Sequence, residues 1–250
     1  MKTILKVENL HIKNNDVEIL KNITFDVKQG EILGIVGESG SGKSTLIRAL
    51  IQMMNKNEKI TKGDIYFKNK SLLQMSSKEL RNLKGSEMGI IFQNPGSTLN
   101  PLRKIKKQFV QVLKSHQKIN TKEALNKSEI ILERVNLHDP LCILNSYPFE
   151  LSGGMKQRVA MALAMVMEPN LLVADEPTSA LDVTVQAQVV NEMMKLRDNF
   201  NTSIIIVTHS MGVVSHMVDK VAVMYGGTIV EYGDKDRVLN KPKHPYTKAL

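Results

Sequence analysis

The sequence is poor in cysteine and in aromatic residues, and it has no long hydrophobic run. Cys142 is the only cysteine, so no disulfide can form within the chain. Tryptophan is absent and aromatic residues make up 4% of the chain, so we expect a mainly aliphatic core. The longest apolar run, residues 159–167, is about half the length that a membrane-spanning helix needs. These absences argue against a disulfide-stabilised secreted domain and against a membrane-spanning protein.

The first residues alternate between apolar and polar, as in a strand, and lack the apolar core and cleavage site of a signal peptide. Together with the single cysteine, this indicates a cytoplasmic location. The 250 residues, 42% of them hydrophobic, suit one large domain, with or without an inserted subdomain.

The chain carries a formal net charge of +9, which raises the question of an anionic partner. The positive residues are spread along the sequence, with one modest cluster at residues 103–107. No aromatic residues are interleaved with that cluster, as a platform for base stacking would require. An ordinary solvated face is therefore favoured over a surface for anionic lipid or a protein partner, and nucleic acid is the least favoured.

Periodicity predicts an α/β fold with three parts. The N-terminal part predicts strands at residues 4–10, 19–27, 31–36 and 60–67, and a helix at 44–54. Residues 98–168 have helical periodicity and no good strand candidate, which predicts an inserted helical subdomain. Strand and helix then alternate at residues 171–174, 183–197, 203–208 and 221–224. Such alternation is typical of a mainly parallel sheet with helices on both faces, whose ligands bind at the carboxyl ends of the strands.

A glycine-rich segment after the third predicted strand fits the phosphate-binding pattern G-x-x-x-x-G-K-[ST]. Its glycines allow the backbone N–H groups to point at phosphate oxygens, and the following helix adds its positive N-terminal end. We expect Lys43 to reach the β- and γ-phosphates, Ser44 to bind Mg²⁺ and Thr45 to support the α-phosphate. The segment predicts a nucleotide site formed by Gly37, Glu38, Ser39, Gly40, Ser41, Gly42, Lys43, Ser44 and Thr45.

Two carboxylates, Asp175 and Glu176, directly follow the apolar strand at residues 171–174. Adjacent acids after a buried strand are costly unless a cation or a proton-transfer step uses them. We expect Asp175 to bind Mg²⁺ through water and Glu176 to orient and deprotonate the attacking water. The alternative, a pair of exposed acids at a strand end, is disfavoured because a phosphate-binding loop is present.

Residues 151–157, LSGGMKQ, resemble the LSGGQ signature of the ABC-type ATPases. Ser152 is expected to cap a helix that Gly153 and Gly154 open, which would bring a hydroxyl and bare backbone within reach of an anion. In this family the signature of one subunit faces the phosphate loop of another, so the resemblance implies that ATP is hydrolysed at a dimer interface.

Other motifs of the family follow in order. Gln93 matches the glutamine of the Q-loop, which contacts Mg²⁺ and senses the membrane partner. Residues 179–182 look like the D-loop, with Asp182 near the nucleotide, and His209 lies at the position of the switch histidine, which contacts the γ-phosphate.

Further segments are similar to the oligopeptide, dipeptide and nickel importers, and the resemblance covers nearly the whole chain. They are FQNP at residues 92–95, LNP at 99–101, the run from Asp175 to Gln188, AVMY at 222–225 and HPYT at 244–247. The resemblance implies a P-loop NTPase (RecA-like) fold with an antiparallel N-terminal β subdomain and the helical signature subdomain near residues 98–168. It implies ATP and Mg²⁺ as ligands, and import of peptides, nickel or metal chelates.

The resemblance also implies the partner subunits of the chain and its location in the cell. These are a second ATPase subunit in a heterodimer, two transmembrane permease subunits and an extracytoplasmic binding protein, with this chain peripheral on the cytoplasmic face of the membrane. Two other functions are weighed against import: an exporter ATPase, and a soluble ABC protein acting on nucleic acid or ribosomes. The LNP and HPYT segments argue against the first. The lack of a second ATPase domain or a heptad insertion argues against the second.

The sequence departs from the family pattern in three places. Ser210 stands where the family often has aspartate after the switch histidine. The first hairpin has no aromatic residue to stack on adenine, so we expect only a weaker apolar contact from Val17 or Ile19. Longer peptide-type members continue past the HPYT segment into a tail that contains cysteine. This sequence stops at Leu250, as expected either for a short, nickel-like member or for a shortened chain.

Overall fold

The computed structural model describes residues 2–179 and 182–250. The chain forms two compact units, one made of residues 1–81 and 203–250 and the other of residues 82–202. None of the described helices combines the length and hydrophobicity needed to cross a bilayer.

The first unit contains most of the strands. Its elements up to residue 81 are β1 (Thr3–Asn14), β2 (Val17–Lys28), β3 (Ile32–Val36), α1 (Lys43–Leu50), β4 (Glu58–Phe67), β5 (Lys70–Ser71) and the beginning of α2 (Ser77–Ser86). The second unit contains β6 (Met88–Ile91), α3 (Pro95–Thr98), α4 (Ile105–His116), α5 (Thr121–Arg134), α6 (Pro140–Asn145), a 3-10 turn (Pro148–Glu150), α7 (Gly153–Met165), β7 (Leu171–Asp175) and α8 (Val183–Phe200). The chain then returns to the first unit as β8 (Ser203–Val207), α9 (Met211–Met217), β9 (Lys220–Tyr225), β10 (Thr228–Asp234), α10 (Lys235–Asn240) and α11 (Pro245–Ala249).

An antiparallel sheet with the order β2-β1-β4-β5 opens the first unit. In β1, the buried Val7 lies opposite Phe25 on one side and Ile65 on the other. The β1–β2 turn places Asn15 in the left-handed region, at a φ of 51°, which asparagine tolerates better than most residues. The antiparallel β subdomain expected from the sequence is confirmed.

A second set of strands in this unit has β3 at its centre. β3 pairs in parallel with β8 on one side and β9 on the other, and β9 continues into β10 through an antiparallel hairpin. All five residues of β3 and of β8 are buried, as expected for parallel strands covered on both faces. The parallel α/β core expected from the sequence is therefore confirmed, although β10 was not predicted. Strand β10 is only half-buried and includes a glycine, so its sequence shows little alternation of apolar and polar residues.

In the second unit, β6 pairs in parallel with β7, Met88 opposite Leu171 and Ile91 opposite Ala174. The helices from α3 to α7 lie between these strands in the sequence. The side chain of Asn120 accepts a hydrogen bond from the Glu123 N–H, and the Glu123 carboxylate accepts one from the Asn120 N–H, so a capping box begins α5. Strand β6 was not predicted from the sequence, because a four-residue strand that contains glycine gives little periodic signal. The treatment of residues 98–168 as a separate subdomain stays a prediction.

Two helix ends differ from the prediction. α1 ends at Leu50 rather than at residue 54, because Gln52 adopts a left-handed φ of 50° that stops the helix. α8 continues to Phe200 and ends where Asn201 takes a φ of 52°. Both ends are thus set by single left-handed residues, which apolar periodicity does not reveal.

A buried carboxylate ties α1 to the start of β4. The Glu58 side chain is 2% exposed and accepts a hydrogen bond from Arg48 Nε at 3.1 Å, with a second, shorter bond from Arg48 Nη2. It also accepts the backbone N–H of Asn55 at 2.9 Å. The Arg48 side chain, opposed by burial and helped by the Asn55 N–H, holds the pKa of Glu58 below its usual range.

This network predicts a pH-dependent effect of Glu58→Gln. A group whose pKa is lowered by folding stabilises the fold above its unfolded pKa of about 4.3, and loses that effect as the pH falls through the lower folded pKa. We expect the substitution to lower the free energy of unfolding by about 1.5–3 kcal/mol at pH 7, since it removes hydrogen bonds to a charged group. Urea denaturation of both proteins from pH 7 down to pH 3 should show this difference shrinking below pH 4.3. The exposed Glu133→Gln serves as the control, and an unchanged difference at low pH would contradict the assignment.

Candidate functional site

The loop after β3 is shaped by glycines in conformations that other residues rarely adopt. Gly37 has a φ of 149° and Gly42 a φ of 101°. A Cβ on Gly37 would lie 2.1 Å from the backbone oxygen of Met224, and one on Gly42 would lie 2.5 Å from Cδ2 of Leu20. The loop can therefore curl between β9 and β2 only if these two positions carry no side chain.

Lys43, the first residue of α1, turns back into this loop. Its Nζ donates to the backbone oxygens of Gly37 at 2.7 Å and Glu38 at 2.6 Å, and to Oγ of Ser41 at 3.3 Å. The residue is 5% exposed. A buried ammonium is tolerated because these oxygens replace the water it loses.

The rest of the loop is exposed at its rim. Glu38, Ser39, Gly40 and Ser44 are exposed, and the first turn of α1 carries no acidic side chain. The N–H of Gly227, in the β9–β10 turn, donates to the Ser41 carbonyl at 3.2 Å and so holds the loop from outside. A helix N-terminus with a lysine and no nearby carboxylate on its first turn fits an anion such as a phosphate.

Thr45, expected to support the α-phosphate, is buried and takes part in the Arg48–Glu58 network. Its hydroxyl accepts from Arg48 Nη2 at 3.0 Å and lies 3.5 Å from Oε1 of Glu58. Its role toward phosphate stays a prediction.

His209 and Ser210 follow β8, the strand beside β3. The N–H of Thr208 donates to the Ile35 carbonyl at 3.2 Å, so the exposed His209 lies at the same carboxyl edge of this unit as the phosphate-binding loop. Ser210 caps α9, because its hydroxyl accepts the Val213 N–H at 3.4 Å. A serine therefore serves at this position as a helix cap, a task that aspartate also performs well.

The acidic strand end lies in the second unit, at the end of β7. Asp175 and Glu176 are half-buried, and Glu176 has a left-handed φ of 45°. Nε2 of Gln93 donates to Oε2 of Glu176 at 3.1 Å. Because β6 and β7 are parallel, the residues that follow them meet at one edge, which brings Gln93 to the carboxylate that the sequence singled out. A non-glycine residue held at a positive φ is a form of strain that often occurs at functional sites.

The expected signature segment begins α7 in the same unit. Ser152 is the N-cap, and its hydroxyl accepts the Met155 N–H at 3.3 Å. A Cβ on Gly153 would meet nothing within 4 Å, and one on Gly154 would lie 3.5 Å from a methyl group of Val185. These residues therefore form an open helix N-terminus.

Asp182 caps α8 by accepting the Val185 N–H at 3.0 Å. Of the D-loop predicted at residues 179–182, Ala180 and Leu181 lie outside the described residues.

One residue in contact with the site was assigned no role by the sequence. Tyr246, in the HPYT segment, accepts the Glu38 N–H through its hydroxyl at 2.8 Å. The motif could be noticed from the sequence, but its contact with a loop 208 residues earlier could not.

The donor chemistry fits both a nucleotide phosphate and Mg²⁺. Ser44, Asp175 and Gln93 carry oxygen donors of the kind that Mg²⁺ prefers. Over residues 2–179 and 182–250, no group of three or more His, Cys, Asp or Glu side chains could hold a metal ion by itself. Mg²⁺ in phosphate-transfer sites is commonly held by one or two side chains together with substrate phosphates and water, so one or two such donors suffice.

A strand, a glycine-rich loop and a helix that begins at the lysine of the loop define a P-loop nucleoside triphosphatase. The profile of the ABC transporter family matches residues 20–179. The chain therefore belongs to the ABC transporter family, and it is an ATPase of that family.

Relatives and solved structures agree with this. The chain is 41% identical to the dipeptide transport ATP-binding protein DppD of Lactococcus lactis, over 99% of this chain and 72% of that protein. It is 44% identical to the oligopeptide transport ATP-binding protein OppD of Bacillus subtilis, over 99% of this chain and 70% of that protein. A dimeric ATP-binding cassette in a post-hydrolysis state with ADP and phosphate is similar at a TM-score of 0.81 and 26% identity, covering 93% of this chain and 99% of that one. CbiO1 of Clostridium perfringens, part of an ABC transporter complex, is similar at a TM-score of 0.83 and 31% identity, covering 96% and 92%.

The loop geometry predicts different costs for alanine at two of its glycines. Gly40→Ala meets no atom within 4 Å, so it should cost only the strain of its φ of 82°, about 1–2 kcal/mol. Gly37→Ala adds a collision with the Met224 carbonyl and should cost more than about 3 kcal/mol of unfolding free energy. Chemical denaturation of the two variants without nucleotide measures the difference, and equal costs would contradict the tight approach of β9.

Proposed function

We propose that this chain is the ATP-hydrolysing subunit of an ABC importer whose substrates are peptides. The observation that carries the catalytic part is the position of Glu176, at the carboxyl end of a buried strand and bonded to the Gln93 amide. The relatives named as dipeptide and oligopeptide transport proteins support the substrate class. Import of nickel or metal chelates is the alternative, because the sequence motifs also resemble those of the nickel importers.

The proposal assigns the phosphates to the loop from Gly37 to Thr45. The ammonium of Lys43 stabilises negative charge on the β- and γ-phosphates, keeping its bond to the Gly37 carbonyl while exchanging its bond to the Glu38 carbonyl for phosphate oxygens. The backbone N–H groups at the start of α1 add fixed dipoles that need no reorganisation during the reaction.

Ser44, Asp175 and Gln93 are the residues assigned to Mg²⁺, which would supply positive charge to neutralise the phosphates and to stabilise charge as it develops. Glu176 acts as the general base: its carboxylate orients a water and accepts its proton during attack on the γ-phosphate. The Gln93 amide donates to one oxygen of this carboxylate and so helps to orient it. His209 donates to the γ-phosphate and completes the set of charge-stabilising groups.

The open N-terminus of α7 at Ser152, Gly153 and Gly154 is proposed to bind the γ-phosphate of ATP held by a second ATPase subunit. Two features support this: the exposed Ser152 and Gly153, and the absence of an acidic residue in the first turn of α7. Asp182, at the N-terminus of α8, lies next to the D-loop and is assigned to the same interface. The proposed assembly is a heterodimer of related ATPases, peripheral on the cytoplasmic face of the membrane. It acts on two permease subunits that receive substrate from an extracytoplasmic binding protein.

We predict that Glu176→Gln nearly abolishes turnover while leaving ATP binding intact. The amide keeps the size of the side chain but cannot accept the proton of the attacking water, so the ATP-bound dimer should accumulate. Phosphate release by the assembled transporter and size-exclusion chromatography with ATP measure the two effects. We expect a loss of at least about 100-fold in kcat.

Two other variants complete that experiment. Glu168→Gln changes an exposed acid shortly before β7 and should behave as wild type. Lys43→Ala should instead weaken ATP binding itself, measured by calorimetry. Normal hydrolysis by Glu176→Gln would remove the general-base assignment, and unchanged affinity in Lys43→Ala would remove the role of the phosphate-binding loop.

The substrate class is tested by uptake in the native cell. A chromosomal Glu176→Gln change should abolish uptake of a labelled dipeptide and leave uptake of labelled nickel, free or chelated, unchanged. Loss of nickel uptake alone would place the chain with the metal importers. If neither changes, the substrate belongs to another class and the direction of transport has to be reconsidered.

A further inference from the structure

The last residues of the chain pack against the phosphate-binding loop. We call residues 241–250 the C-terminal strap. It contains α11, whose N-cap is His244, and Nδ1 of His244 accepts the Tyr246 N–H at 3.2 Å. From this short helix, the Tyr246 hydroxyl reaches the N–H of Glu38 at 2.8 Å.

The strap is fixed to β10 by a buried carboxylate. Glu231 is 7% exposed and accepts the backbone N–H groups of Lys243 at 3.0 Å and His244 at 3.1 Å. Burial alone would raise the pKa of Glu231, but these N–H donors outweigh it and hold the pKa below its usual range. The carboxylate is therefore ionised at neutral pH, and it holds the backbone two residues before Tyr246.

The ring of Tyr246 is held separately from its hydroxyl. It packs on Tyr225, the last residue of β9, with ring centroids 4.6 Å apart and planes inclined by 39°. Such tilted aromatic pairs are favourable beyond the area they bury. The position of the hydroxyl thus follows from two supports, the Glu231 anchor and the Tyr225 ring.

Tyr246 and Lys43 form hydrogen bonds with the same peptide group. The carbonyl of Gly37 and the N–H of Glu38 belong to one planar peptide unit. The carbonyl accepts from Lys43 Nζ at 2.7 Å, and the N–H donates to Tyr246 Oη at 2.8 Å. Rotation of this unit would break both bonds at once, so the tyrosine and the lysine stabilise the same orientation.

We propose that Tyr246 is a positioning residue for nucleotide binding: its hydroxyl fixes the Gly37–Glu38 peptide and, through it, the Lys43 ammonium. This inference rests on the proposed role of Lys43 toward ATP. It gives the HPYT segment a task in the ATPase cycle, which it performs through the Gly37–Glu38 peptide.

The test is Tyr246→Phe, which keeps the ring on Tyr225 and removes only the hydroxyl. We expect the Kd for Mg-ATP, measured by calorimetry on the full chain, to rise about three- to tenfold, the value of one hydrogen bond. The thermal midpoint without nucleotide should stay unchanged, because Glu38 is exposed and water can replace the lost acceptor. In the assembled transporter, KM for ATP should rise while kcat stays the same, a split that a general loss of structure would not give.

Tyr232→Phe is the matched control. It removes a hydroxyl that donates to the Asp26 carbonyl at 2.9 Å, in the same unit but on β2 rather than on the loop. We expect its ATP affinity to equal that of wild type. An equal loss of affinity in both variants, or an unchanged affinity in Tyr246→Phe, would overturn the proposal.

Lys43→Ala, measured in the same assay, distinguishes failure of the positioning role of Tyr246 from failure of the proposed function. If it loses ATP affinity while Tyr246→Phe does not, the positioning role fails and the proposed function stands. If Lys43→Ala binds ATP as wild type does, the proposed function itself fails.

Discussion

The structure of the candidate site depends on one buried charge, the ammonium of Lys43. An ammonium removed from water is strongly destabilising unless oxygens replace its hydration. Here two backbone carbonyls and a serine hydroxyl do so, which requires the chain between β3 and α1 to fold back over the lysine. That path needs left-handed glycines pressed against β9 and β2. The glycine positions thus follow from holding one cation ready for an anionic ligand.

The other polar residues of the candidate site also lie at the carboxyl ends of parallel strands. In the first unit the loop follows β3 and His209 follows its neighbour β8. In the second unit Gln93 follows β6, and Asp175 and Glu176 end its partner β7. Buried hydrophobic strands fix the backbone, and the residues proposed to carry the chemistry come directly after them. The buried strands thus support the site, in which Glu176 is held in a strained, left-handed conformation.

Much of the fold could be predicted from the sequence because its strands and helices are strongly patterned. β1, β2, β3, β7 and α8 follow from periodicity, and the phosphate-binding loop follows from the spacing of its glycines and lysine. What could not be predicted has physical reasons. β6 is too short and β10 too exposed to give a pattern, and the end of α1 depends on the left-handed conformation of Gln52. The contact of Tyr246 with the loop is tertiary, so the sequence could mark the motif but not its partner.

The Gln93–Glu176 hydrogen bond offers a physical route from a membrane partner to hydrolysis under the proposed function. Gln93 is exposed on a segment that follows a four-residue strand. Glu176 is the residue proposed to activate water, and its orientation depends in part on the Gln93 amide. A permease that displaces this segment would change the hydrogen bonding of the general base without touching the nucleotide. Coupling would then need no long chain of contacts, since the group proposed to sense the partner and the group proposed to activate water share a hydrogen bond.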